Sequence, residues 1–474
     1  MHNIWMDRPP NPAPSRVVGV LYESPVKIYP RTVRGRFDRW RRAMVVLTQL
    51  VFLGLPWLTW NGRPALLFDL EARRFYVFAW ILWPQDLIYL VGLLVAAALA
   101  LFLFTAVAGR LWCGYACPQT VYTEMFLAIE RWTEGDRHAR MRLDAAPWGS
   151  GKLARKIAKH LLWGTLAVIT GVSFVGYFTP MRELLHALAT FSLGPWETFW
   201  IAFYAFATYA NAGWLREQIC KTMCPYARFQ SALIDSDSLI IAYDSGRGEP
   251  RGARSRQADP RTLGLGDCVD CTLCVQVCPT GIDIRHGLQN ECIGCAACID
   301  ACHTVMDKLG YARGLIRYTT ARGLGTGGGW RGMLAHLLRP RVVAYSVLLI
   351  GTLAAIAVSL TGRPSVAVDA LRDRGTLAAL SAAGVENTYQ LLITNRTERT
   401  IGFTVSASGL PQLHVDSEVP SHWLPAAAQS RVPVRLVLPH AQAAQLAPGA
   451  YPVTFTVHAD AETVHASATF LLQR

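Results

Sequence analysis

Five runs of almost purely apolar residues punctuate the chain, at approximately 43 to 60, 87 to 108, 160 to 179, 193 to 212 and 342 to 361. Each approaches the roughly 20 residues that a helix needs to cross a hydrocarbon core about 30 Å thick. The pattern therefore predicts a five-helix α transmembrane bundle. After residue 361 the texture changes. Gln390 to Thr394, Ile401 to Val405, Val432 to Leu438, Val453 to His458 and Ala466 to Leu472 alternate apolar and polar positions between Gly, Pro and Asn. Period-two alternation marks half-buried strands, and a tail of about 110 residues built this way predicts an antiparallel all-β sandwich of immunoglobulin type.

Composition sharpens the membrane reading. With 52% hydrophobic and 17% charged residues, the chain is too apolar for an ordinary soluble enzyme. A net charge of +13 would suit a nucleic-acid partner, but its position says otherwise. Arg39, Trp40, Arg41 and Arg42 precede the first apolar run, a flank that belongs at a cytoplasmic interface. With the N-terminus inside, segments 1–42, 109–159 and 213–341 are cytoplasmic and hold roughly three quarters of the lysines and arginines, as the positive-inside rule requires. The charge thus follows from membrane orientation, and no nucleic acid is implied. A polar, Pro-rich stretch of about 40 residues precedes the first run, outside the pattern of a cleavable signal.

All twelve cysteines lie between Cys113 and Cys302 in short-spaced motifs, which argues against a disulfide framework and for metal chemistry on the reducing side of a membrane. Cys268, Cys271, Cys274 and Cys278 follow a Cys-x-x-Cys-x-x-Cys-x-x-x-Cys rhythm ending in Pro279. Cys292, Cys295, Cys298 and Cys302 repeat it, with His303 in the proline's place. Three closely spaced thiolates wrap one face of a cubane while the fourth ligates the other cluster. The expected sets for two 4Fe-4S clusters are Cys268, Cys271, Cys274 with Cys302, and Cys292, Cys295, Cys298 with Cys278. Two Cys-x-x-Cys pairs can also build a tetrahedral zinc site, which the doubled order of eight disfavours.

A second repeat is Cys113-Gly-Tyr-Ala-Cys117-Pro118 and Cys220-Lys-Thr-Met-Cys224-Pro225. Each follows an outward-to-inward helix at its cytoplasmic end, as in a duplicated helical hairpin. Residues four apart share a helix face, so each pair could offer two thiolates to one ion, and soft thiolates select Cu(I), zinc or iron-sulfur iron. The alternatives are a redox-active dithiol or small residues packing a tight turn. His160 and His186 near the membrane interfaces are weaker candidates as haem or copper ligands and read better as interfacial polar residues. Glu124, Glu130 and Arg131 read as a solvated helix face, and Asn395-Arg396-Thr397 as a glycosylation acceptor or a turn.

The expected order is a cytoplasmic segment 1–42, helices one to four with both cysteine turns over 43–240, and a linker over 241–266 containing the Gly-, Arg- and Pro-rich stretch Gly246 to Gly266. An α+β bacterial-type two-cluster ferredoxin module follows at 267–320. A second linker, 321–341, holds the Gly-rich run Gly323 to Gly332, which lacks the Gly-Lys-Ser/Thr ending of a phosphate loop. The fifth helix, 342–361, and the outer sandwich, 362–474, complete this multi-domain membrane protein.

These residues together resemble the FixG/CcoG/RdxA family of cytochrome oxidase accessory proteins. The similarity is carried by Lys27-Ile28-Tyr29-Pro30-Arg31, the paired Cys-x-x-x-Cys-Pro turns, Asp270 to Asp283 and Glu291 to Cys302. Met306-Asp307-Lys308 and Gly314 to Tyr318 continue it. The resemblance implies a polyferredoxin of a bacterial cytoplasmic (inner) membrane with its tail in the periplasm. It implies reduction of Cu(II) to Cu(I) for assembly of cbb-type cytochrome c oxidase, with Cys113, Cys117, Cys220 and Cys224 as copper-reducing residues. The implied partners are the lipid bilayer, a cytoplasmic electron donor or quinol, the copper ion, and oxidase assembly proteins or copper chaperones. Two other readings stay open: a quinol-linked electron conduit to a periplasmic reductase, and an assembly scaffold with structural clusters.

Overall fold

The computed structural model describes residues 27–255, 262–326, 338–372, 378–416, 422–459 and 462–473. Residues 1–26 of the N-terminal segment, the middle of the first expected linker and most of the Gly-rich run lie outside them. The chain forms two compact units, one of residues up to Trp57 with Val91–Leu353, the other of Leu58–Leu90 with the residues from Ala354 onward.

Among the described residues three helices are long and apolar enough to cross a membrane: Pro84–Ala108, Ser150–Val175 and Pro340–Thr361. Ile88 is 73% and Ile350 65% exposed, outward-facing apolar surface that suits lipid. The other two expected spans are helical but shorter, so the five-helix bundle is supported for three. The helix Arg36–Gly54 carries charges through its first two turns and stops where Leu55–Trp57 tightens around Pro56 and Thr59–Trp60 enters a hairpin. Pro195–Tyr209 begins at a proline and widens into π-helical turns over Ala210–Leu215. Ser150–Val175 starts ahead of its apolar run because lysines extend it. Lys152 donates to the carbonyls of Asp144 and Ala146, and Lys156 pairs with Glu134 and Asp144.

In the cysteine-rich module Ile240–Tyr243 pairs antiparallel with Ile316–Thr319, beside the helices Leu273–Gln276 and Ala297–Leu309. Ile241, Ile284, Ile299, Met306 and Ile316 form its core. The first strand falls in the segment expected as a linker. Its continuation is likewise part of the module: Arg247 pairs with Asp267 at 2.5 Å, and Gly266 N–H donates to the Pro250 carbonyl at 2.8 Å. Composition marked this stretch as loose, whereas Gly252 donates its N–H to the Cys268 carbonyl and Cys268 donates its own to the Gly248 carbonyl.

Asp300, between the last two cysteines and 3% exposed, ties the module to the helix Arg36–Gly54. Its carboxylate accepts the N–H groups of Phe37 at 3.3 Å and Asp38 at 2.8 Å, capping that helix from a distant segment. Asp300→Ala is expected to cost about 1–2 kcal/mol, read as an earlier thermal loss of cluster absorbance; an unchanged transition would show the cap to be dispensable.

The second unit is a two-sheet sandwich with every pair antiparallel. One sheet runs His414–Asp416, Gln429–Leu438, Gly384–Asn395, Val366–Arg372; the other runs His422–Leu424, Ile401–Ser408, Gly449–Ala459, Glu462–Leu472. Tyr389, Leu391, Ile393 and Val434 of one sheet share the core with Phe455 and Phe470 of the other, the inward half of the alternation. Residues 66–82 add a three-stranded meander, and Asp86 accepts Arg363 and Arg396 in a buried ion cluster. Asn395 is fully buried, donates to the carbonyls of Arg399, Leu424 and Pro425, and accepts from Thr397. The turn reading of that triplet is the structural one.

Candidate functional site

The two cysteine runs share one backbone pattern. On either side of each second cysteine the chain turns left-handed, at Asp270 (φ 52) and Thr272 (φ 55) in the first run and at Gly294 (φ 72) and Ala296 (φ 60) in the second. Such turns collect N–H groups on one concave side, a nest of the kind that receives anionic iron-sulfur groups.

Two apolar cavities result. Cys268, Cys271, Cys274 and Cys302 line one with Tyr243, Leu315 and Met306. Cys278, Cys292, Cys295 and Cys298 line the other with Ile241, Ile282 and Ile284, and Cys274 reaches its border. Three cysteines of one run thus meet the last of the other around each cavity. All eight are unbridged. Burial pushes Cys274, Cys292 and Cys302 up to about 12 and Cys298 well above the ordinary thiol range, with neighbouring thiols adding to it. Among the described residues no three His, Cys, Asp or Glu side chains converge on a point where a single ion would sit. The cysteines line two volumes, an arrangement that fits cubane ligation.

The paired turns lie at the edge of the same unit. Cys113 sits in the short helix Leu111–Tyr115, and Cys117 precedes Pro118, the first residue of the helix Pro118–Glu134. Cys220 lies in the π-helical turn Ile219–Met223, and Cys224 precedes Pro225 of the helix Pro225–Leu233. Proline at the first helical position fixes each break. Cys117 and Cys224 are therefore extended, so the pairs do not share a continuous helix face as their spacing suggested. Both turns nonetheless border one cavity, lined by Gly114 and Tyr115 of the first and Cys220 of the second. Cys113 is pushed up to about 12 by burial, then by Cys117, Cys220 and Cys224; Cys220 rises to about 11 by burial, then by Cys117 and Cys224. Buried Gln230 accepts from the Cys113 thiol at 3.4 Å and donates to the Gly109 carbonyl at 3.0 Å, which holds the first turn.

Family models agree with this layout. One described as a 4Fe-4S dicluster domain matches residues 215–321, one described as a 4Fe-4S binding domain matches 90–134, and one described as an IG-like fold at the C-terminal of FixG matches 356–473. Nitrogen fixation protein FixG of Rhizobium meliloti is 40% identical over 431 residues, 84% of this chain and 82% of that protein. The chain belongs to the FixG/RdxA family. Protein RdxB of Cereibacter sphaeroides is similar at 39% over 86% of this chain and 87% of its own, and Protein RdxA at 38% over 91% and 92%. Membership makes this an iron-sulfur electron-transfer protein, as the cysteine pattern indicated.

The structure of this FixG-family chain gives its N-terminal motif a task. Lys27 and Tyr29 both reach Asp144 at 2.7 Å, the Pro30 carbonyl accepts from Arg140, and Arg31 N–H donates to the Gln276 carbonyl beside the first cluster cavity. Ile28 packs against Gly281, where a Cβ would come within 2.8 Å of it.

The expected solvated face of the helix after the first turn is corrected. Glu130 and Glu134 are each 2% exposed. Glu130 takes Arg140 at 2.7 Å and Arg216 at 2.6 Å; Glu134 takes Lys156 at 2.9 Å and Lys159 at 3.0 Å. Phe126 stacks on Trp163 of the helix Ser150–Val175, burying this face. Glu124 stays half-exposed with Arg131 at 3.1 Å. His160 spends Nδ1 on the Tyr209 hydroxyl at 2.7 Å among aromatic rings, and His186 is exposed on the helix Met181–Ala189. Sequence reasoning missed Arg41, Arg110, Arg216 and Gln230, whose only signal is polarity beside a membrane segment.

Proposed function

We propose that this FixG-family chain passes electrons singly from its two clusters to a cupric ion that arrives at the edge thiols Cys113, Cys117, Cys220 and Cys224, which among the described residues form no ready-made ion site. The cuprous product then serves assembly of cbb-type cytochrome c oxidase. The carrying observation is that both cysteine turns border the cluster module: Gly114 packs on Cys295, and Cys220 lines the same cavity as Cys295. Cysteine-ligated clusters reach potentials as low as about −700 mV, and one-electron reduction of Cu(II) by a cluster at the low end of that range is downhill. Thiolates then favour Cu(I) by softness. A cytoplasmic reductant or quinol restores the electron. In this reading Cys268, Cys271, Cys274 and Cys302 hold one cluster and Cys278, Cys292, Cys295 and Cys298 the other. The charge distribution supports a cytoplasmic module and a periplasmic sandwich, and the sandwich serves as docking surface for copper chaperones or assembly proteins.

The test is anaerobic addition of Cu(II) to the dithionite-reduced, membrane-extracted chain. Copper-dependent reoxidation with stoichiometric Cu(I) is expected. Reoxidation by quinone analogues alone would favour the conduit reading, and clusters that never change oxidation state would leave the scaffold. The match of residues 90–134 to a 4Fe-4S binding domain favours one further reading, a third cluster on the edge thiols. Iron analysis separates the two, at about eight atoms per chain for the copper reading and about twelve for the third cluster.

A further inference from the structure

The two cluster cavities stand in unequal relation to the edge turns. Gly114, between Cys113 and Cys117, packs directly on the second cysteine run: a Cβ there would lie 2.8 Å from Cys295 Cα and N and from the Gly294 carbonyl carbon. Arg110, three residues before Cys113, donates to the Cys292 carbonyl at 3.2 Å, and Tyr318 donates to the Gly294 carbonyl at 2.7 Å. A further cavity has Tyr115, Glu124 and Cys220 on one side and Ile293 and Cys295 on the other. Cys268, Cys271 and Cys302 do not line it.

Arg41, in the helix Arg36–Gly54, also lines this cavity. It is only 9% exposed, its Nη2 reaches Asp38 at 3.3 Å, and its Nε has no hydrogen-bond partner among the described residues. A guanidinium keeps its proton in proteins, so Arg41 is a fixed cation beside the second cysteine run.

We propose that the cluster in the cavity of Cys278, Cys292, Cys295 and Cys298 is the electron exit toward the edge thiols, and that Arg41 is the positioning residue that holds its potential above that of the other cluster. This rests on the reading that the edge thiols receive electrons. A fixed cation in a low-dielectric setting stabilises the more negative, reduced form of the cluster beside it. An electron delivered by an external one-electron donor to the cluster of Cys268, Cys271, Cys274 and Cys302, whose Cys271 is exposed, then settles on the exit cluster. There the cluster is oxidised by one electron as its acceptor is reduced by one.

The test is a redox titration of the full chain followed by electron paramagnetic resonance, with no copper present. Arg41→Gln is expected to lower the reduced-to-oxidised ratio of one cluster at fixed potential by about tenfold, about 59 mV for a one-electron couple. The other cluster should not move, and Arg41→Lys should restore the value. Cys295→Ser, which alters the spectrum of its own cluster, identifies which signal has shifted. Equal shifts of both clusters, no shift, or a shift confined to the cluster not marked by Cys295→Ser would overturn the proposal. Because the potential is read without copper, failure of copper reduction removes the exit role but leaves the effect of Arg41 on the potential standing, whereas copper reduction with an unmoved potential sinks the Arg41 proposal alone.

Discussion

Serine at both Cys113 and Cys220 is expected to slow copper-driven reoxidation of the reduced clusters by at least about 100-fold, since even outer-shell partners of a metal are worth 10–100-fold. The double variant removes one thiolate from each turn and leaves a hard hydroxyl that binds Cu(I) poorly. Neither residue lines a cluster cavity, so the absorbance and paramagnetic signals of both clusters should match the parent chain. Stopped-flow mixing with Cu(II) reads the rate, and a cuprous chelator reads the product. Retained reduction would move the copper site off the paired turns. Loss of iron together with the rate would instead mark these cysteines as ligands of a further cluster.

The doubled cysteine rhythm is local, so the chain alone proposes the two cysteine sets. The cavities are lined by those residues, with Cys274 lining both. The sandwich was legible for a similar reason: alternation at Tyr389, Leu391 and Ile393 marks the buried side of a strand without knowledge of its neighbour. Hydropathy read less well. It counts apolar residues but not where hydrogen bonding changes register, so Pro56 and the π-helical turns after Tyr209 shortened two expected spans. It also hid the buried carboxylates. Glu130 looks solvated because its partners Arg140 and Arg216 lie 10 and 86 residues away, and no local periodicity reports an ion pair closed by tertiary packing. Arg41 escaped for the opposite reason, since as part of a cationic flank it read as a topology signal only.

Glu130→Ala is expected to be among the most destabilising single changes in the chain, at about 3–5 kcal/mol. It strands Arg140 and Arg216, whose side chains are 3% and 11% exposed, in a setting where an unpaired charge is costly and burial alone cannot compensate. Burial by itself would raise the Glu130 pKa, but Arg216 and Arg140 outweigh it and hold the carboxyl below its ordinary range. A lowered folded-state pKa means that this contribution is fully present above the unfolded value and is lost as pH falls through the folded one. Thermal stability of the parent chain should therefore drop in acid, and that of Glu130→Gln should drop less, from a lower starting point. The same pair bears on the copper site. Arg216 holds a left-handed backbone (φ 37), donates Nε–H to the Gly213 carbonyl at 2.9 Å, and accepts from Gln119 at 3.2 Å. Such a conformation in a non-glycine residue costs about 1–3 kcal/mol and persists only when its surroundings over-determine it. Cys220 lies four residues on, so releasing Arg216 frees the turn that presents this thiol. Copper-driven reoxidation in Glu130→Ala should then fall at temperatures where both clusters are still intact, and an unchanged rate there would show that the ion pair supports the fold without setting the turn.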